Sequence, residues 1–183
     1  MRISSTIVCL LAILCSTKGN FKSTTSPITI GDKGGVLYEN GIVHAFSSPV
    51  RKDSFNIRLT GESILRGMIN FVIRDGDGLA ILDETYHSTM LLDYGLPQNS
   101  TDKQKEEYIK SRIDKFFTLE TFHQPAIDQN AKFDVDFTSR EVFDDIRADQ
   151  TSIGFYYLIG EEDGRQIAYS KKLKKTVVYF SCC

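Results

Sequence analysis

Residues 68–86 read MINFVIRDGDGLAILDETY. Two apolar, strand-favouring runs flank Asp75-Gly76-Asp77-Gly78, where Gly accepts positive φ and Asp bonds its own backbone, the chemistry of a tight turn. The stretch predicts an antiparallel hairpin at 67–86, a pairing that needs no helical crossover. Just upstream, Phe55, Ile57 and Leu59 alternate with Asn56, Arg58 and Thr60, the period-two pattern of a strand with one buried and one wet face. Further upstream, residues 36–39 and 42–46 flank Asn40-Gly41, the dipeptide best suited to a two-residue hairpin turn, which predicts a hairpin at 36–46.

Downstream the period changes. Thr101 followed by Gln104 has the spacing of a capping box, and Ile109, Ile113, Phe116 and Phe117 then recur at helical intervals, predicting a helix over about 102–117. Glu106 and Lys110 are placed to pair along its exposed side. Thr138 and Glu141 repeat the capping spacing ahead of Val142, Phe143 and Ile146, predicting a second helix over about 139–149. Strand patterns return at 153–159, 165–170 and 176–181, with turns at Glu161-Glu162-Asp163-Gly164 and near Lys171-Lys172, a C-terminal meander spanning 153–181. Strands that precede and follow the helices without regular alternation imply an α+β fold. The expectation is one antiparallel sheet of six to eight strands with both helices on one face.

The N-terminus carries a different signal. Arg2 precedes an apolar run of eight residues, 7–14, and then small polar residues, the order of a secretory signal peptide. A membrane span needs about 20 apolar residues, so the run is too short for an anchor. Thr17 and Gly19 place cleavage after residue 19. Residues 20–27, rich in Ser and Thr and ending in Pro27, read as a flexible leader, and 28–183 as a single domain. The expected location is secreted or periplasmic. Cys15 directly after the run offers an alternative, a lipid-anchored envelope protein acylated at that cysteine, although Leu14 is bulky for the position before such a site.

Composition narrows the function. A formal charge of −2 with interspersed signs argues against a nucleic-acid partner, which calls for a concentrated basic face. Of the four cysteines, Cys9 and Cys15 belong to the export segment and Cys182 and Cys183 end the chain, which is no disulfide framework. Asp75-Gly76-Asp77-Gly78 fails as an EF-hand, because its sixth and twelfth positions are Ala80 and Tyr86; a looser oxygen cage would draw on Asp75, Asp77 and Asp83. His44, His87 and His123 show no paired metal spacing, and no cofactor is indicated. Ser100-Thr101-Asp102-Lys103 has the S-x-x-K spacing of an activated serine, but the same residues explain a helix cap. Asp145 and Asp149 share a helix face suited to a cation or simply to water. Asn99-Ser100-Thr101 is a glycosylation sequon in a eukaryotic setting.

Two features suggest binding. Tyr156, Tyr169 and Tyr179 fall in the C-terminal strands, where an outward row of phenols makes a contact surface for a protein or glycan. Lys171, Lys172, Lys174 and Lys175 form the basic cluster, suited to an anionic surface such as headgroups or to protecting an exposed turn. The leading expectation is an exported, non-catalytic domain that binds a protein, glycan or cell-surface ligand. The alternatives are the Cys15 lipoprotein and a small secreted hydrolase centred near His87, Asp83 and Glu84.

Overall fold

The structure, a computed structural model, describes residues 35–93 and 95–182. The signal peptide 1–19 with Cys15, the leader 20–27 and Cys183 lie outside the described residues. Eight strands, β1 (Val36–Ala45), β2 (Lys52–Thr60), β3 (Met68–Arg74), β4 (Ala80–His87), β5 (Phe122–His123), β6 (Gly154–Leu158), β7 (Gly164–Ser170) and β8 (Lys175–Cys182), are joined by two helices, α1 (Asp102–Asp114) and α2 (Arg140–Ala148). The fold is α+β with antiparallel pairing throughout.

The strands form two four-stranded sheets, β1-β2-β3-β4 and β5-β6-β7-β8, in place of the single sheet expected. Alternation assigns each side chain to a face; it carries no information on which strand lies beside which. Here the break falls between β4 and β5, the interval that α1 occupies. The inward residues of both sheets share one aromatic core: Phe55 and Phe71 of the first sheet lie 5.3 and 6.1 Å, centroid to centroid, from Phe155 of the second. Ile109, Ile113, Phe116 and Phe117 of α1 and the turn beyond it complete that core. Full burial of such side chains contributes about 1.5–3 kcal/mol each, which makes this cluster the main source of stability.

The two helices do not share a face. Val142, Phe143 and Ile146 of α2 pack with Ala168, Tyr179, Ala126 and Ile127 in a second cluster. Ile167 belongs to the inter-sheet core and its neighbour Ala168 to this one, so the two clusters lie on opposite faces of β7. The second sheet is therefore covered on both sides, by the first sheet within and by α2 without. Both helix starts match their sequence signals: Thr101 and Gln104 make the full capping box, and Ser139 caps α2 by accepting from the Val142 N–H.

The hairpin at 36–46 is not formed. Residues Val36–Ala45 are one ten-residue strand, with Asn40 opposite Ile57 and Gly41 opposite Asn56. Asn40 is spent on a tertiary contact: its Nδ2 donates to the carbonyls of Ile113 (2.9 Å) and Asp114 (3.1 Å), which the end of α1 leaves without helical partners. Gly41 leaves room for the neighbouring strand, since a Cβ there would meet the Phe55 carbonyl at 2.9 Å. The hairpin at 67–86 and the meander at 153–181 are present as β3-β4 and β6-β7-β8. In the first turn Asp75 accepts from the N–H groups of Asp77 and Leu79 while Asp77 pairs with Arg51 through both oxygens.

Candidate functional site

A hollow of about 420 Å³ opens on the outer face of the second sheet. Its floor is the outward side of β6 and β7, where Tyr156 and Gln166 are directly paired across the strands. Residues 124–131, the segment that leaves β5, form one wall, and His123 and Tyr179 stand where wall and floor meet. Gly164, next but one to Gln166, lets the Tyr156 ring extend along the sheet: a Cβ there would sit 2.8 Å from the Tyr156 hydroxyl.

The wall is tied down by three groups. The Tyr179 hydroxyl donates to the Ala126 carbonyl at 2.5 Å, and His123 Nε2 lies 3.1 Å from that carbonyl and 2.8 Å from the hydroxyl. A carbonyl only accepts, so Nε2 bears the proton in this arrangement. That ring nitrogen is thereby committed to structure and is closed to service as a general base. Burial also pushes the Tyr179 phenol well above the ordinary tyrosine range, keeping it a neutral donor. The ring of His123 sits directly over Gly154, its partner in the β5-β6 pairing; any Cβ at that position would lie 2.2 Å from Nε2.

Tyr179 owes its place to a bulge. Pairing between β7 and β8 steps from Gln166↔Phe180 to Ile167↔Val178, leaving Tyr179 as the extra residue. The expected row of outward tyrosines is consequently broken into three environments. Tyr156 is half-buried on the floor of the hollow, and Tyr179 is buried at its corner. Tyr169 packs against the inter-sheet core on the other face.

The lysine cluster is largely neutralised. Lys171 reaches Asp149 at 2.5 Å and Lys172 pairs with Glu141, so the β7-β8 turn is docked on α2 by the very acids that resembled a cation face. The Lys171 ammonium, with help from Thr151, holds the Asp149 carboxyl below the usual carboxylate range. Lys174 and Lys175 remain exposed, and none of the four lines the hollow.

The residues named for a hydrolase are not assembled. Asp83 accepts from Asn70 on the outer face of the first sheet, at 2.8 Å. Glu84 points inward, accepting from the Tyr157 hydroxyl (2.9 Å) and from Arg165 (3.1 Å), which also grips Asp163 through two nitrogens. His87 spends Nδ1 on the hydroxyl and N–H of Thr89. His44 stacks on Phe122 with centroids 3.9 Å apart. Ser100 donates its hydroxyl to the Pro97 carbonyl instead of meeting Lys103. Among the described residues no group of three or more His, Cys, Asp or Glu side chains is placed to hold a metal ion, and no helix is long and apolar enough to cross a membrane.

Sequence reasoning passed over Gln166, whose polarity in a strand is unremarkable, and treated His123 as one isolated imidazole. A Gly opening a strand pattern at residue 154 is the one local sign of a close approach there. No protein-family model, no curated protein and no solved structure matches the chain.

Proposed function

We propose that this chain is an exported, non-catalytic binding domain that takes its ligand in the hollow on the outer face of the second sheet. The observation that supports this most is unspent hydrogen-bonding capacity. The Tyr156 hydroxyl and the Gln166 amide, neighbours on the floor, have no side-chain hydrogen bond within the protein, whereas His123 and Tyr179 beside them are fully engaged. Half-buried polar groups without partners are suited to bonds that a ligand completes. A site whose histidine is locked as a donor, with no nucleophile beside it among the described residues, favours recognition over bond-breaking.

Delivery outside the cytoplasm rests on the leader at 1–19, and the partner is then a protein or glycan met in the periplasm or at the cell surface. The test is amide-shift mapping of the mature protein against separate pools of short peptides and soluble oligosaccharides. Shifts confined to residues 123–131, 156 and 166 are expected. Shifts confined to the outer face of the first sheet or to the lysine turn would refute the assignment. Intact-mass analysis of cell-derived protein tests the export reading: a start at Asn20 is expected, and an acylated Cys15 would place the protein on the envelope instead.

A further inference from the structure

We infer that the ligand of this hollow is the ring of a neutral sugar; the inference rests on the binding reading just given and adds to it the class of ligand. Charge is the first argument. The lining holds no Lys or Arg, and its one carboxylate is that of the exposed Asp128 at the rim. A phosphate or carboxylate ligand would enter without a countercharge, a desolvation that binding cannot offset. A cationic ligand fares little better. Tyr179 is 4% exposed with its hydroxyl turned to Ala126, leaving Tyr156 as the single aromatic ring open to the hollow, whereas ammonium recognition uses several rings together.

Hydrogen-bond geometry is the second argument. A primary amide presents an acceptor oxygen and a donor nitrogen side by side, so the free Gln166 side chain complements two adjacent groups of which one donates and the other accepts. Neighbouring hydroxyls of a sugar ring have that pattern. The Tyr156 hydroxyl supplies one further donor and acceptor beside it, and its ring, laid over Gly164, offers an apolar face to the C–H side of a pyranose. A peptide fits worse. Strand addition requires a free sheet edge, and β6 and β7 are interior strands whose backbone groups are already paired on both sides. At about 420 Å³ the cavity suits one or two rings and no larger protein epitope.

The test is saturation-transfer NMR with the mature full-length domain and glucose, galactose, mannose, N-acetylglucosamine and their disaccharides as probes, alongside glucuronate, glucose 6-phosphate and triglycine. Transfer to at least one neutral sugar is expected. Its affinity should fall tenfold or more in Tyr156→Ala and in the nearly isosteric Gln166→Leu, and stay unchanged in Arg58→Ala on the far sheet. Amide shifts at 156 and 166 produced by the charged sugars or the peptide alone would overturn the ligand class while leaving the hollow as the site. Silence of all neutral sugars overturns the inference, and neutral-sugar binding that survives both hollow variants overturns the site as well.

Discussion

Replacing Gly154 by Ala tests the corner of the hollow on which its wall depends. The added Cβ would lie 2.2 Å from His123 Nε2, 2.6 Å from Cε1 and 2.9 Å from Cδ2, against about 3.5–4.0 Å for a relaxed contact, so the imidazole has to move by more than an ångström. Such a shift breaks the Nε2 contacts with Tyr179 and Ala126. Overpacking of this kind costs about 1–3 kcal/mol, and each lost hydrogen bond about 0.5–1.5 kcal/mol. The lower entropy of the unfolded chain with Ala returns about 0.4–1 kcal/mol. The balance is a loss of about 2–3 kcal/mol, a melting point lower by roughly 6 °C for a domain of this size. Urea unfolding followed by circular dichroism measures it. The decisive control is the cycle with His123→Ala, which removes the ring that clashes: the double variant should be more stable than the sum of the singles by about 1–2 kcal/mol. Strict additivity, or a Gly154→Ala protein as stable as the parent, would refute the reasoning.

Asn40→Asp should destabilise more than Asn40→Ala, because a carboxylate cannot donate to the Ile113 and Asp114 carbonyls and adds charge at the negative end of α1; chemical denaturation at pH 7 ranks the two. Asp149, held below its ordinary range by Lys171, contributes stability that is present above the unfolded carboxylate pKa near ~3.9 and lost as pH falls through its lower folded value. Asp149→Asn should thus cost at most about 1 kcal/mol at pH 7 and nearly nothing at pH 2, which paired melts at the two pH values will reveal. Tyr86, Tyr157 and Tyr179, all raised chiefly by burial, contribute stability that is complete below pH ~10 and lost as pH rises above it. Absorbance at 295 nm should show these three phenols ionising only together with loss of the far-ultraviolet helix and strand signal; free titration in the folded protein would contradict their burial.

What was legible in the sequence was local. The capping box at Thr101 and Gln104 needs only four residues, and both of its hydrogen bonds are present in the structure. The turn at Asp75-Gly76-Asp77-Gly78 closes a hairpin because its Asp side chains satisfy its own backbone, so nothing distant is required. Phe55, Ile57 and Leu59 all face the core, as their alternation implied. Asn40-Gly41 failed for the opposite reason: the same two residues serve a helix end more than seventy positions away, and a dipeptide cannot advertise a partner at that distance. The division into two sheets was hidden likewise, since Phe55 and Phe155 carry the same signal whether they share a sheet or face each other across a core.

The hollow was illegible because its parts have no chemistry in common until they meet. Gln166 and Tyr156 are ordinary strand residues, joined only by a register that places them opposite one another. Tyr179 should have stood in the same outward row, but one unpaired position in β8 turned it into a bolt for the wall. Strand periodicity predicts faces only as far as the first bulge, and this bulge is where the hollow begins. The consequence separates two roles that a row of tyrosines would have merged. Tyr179 and His123 spend their polar atoms on the protein and thereby set the shape, while Tyr156 and Gln166 keep theirs unspent. Substitutions at the first pair should therefore register mainly as lost stability, and at the second as lost affinity with the fold intact. A hollow that arose only from loose loop packing would show no such division.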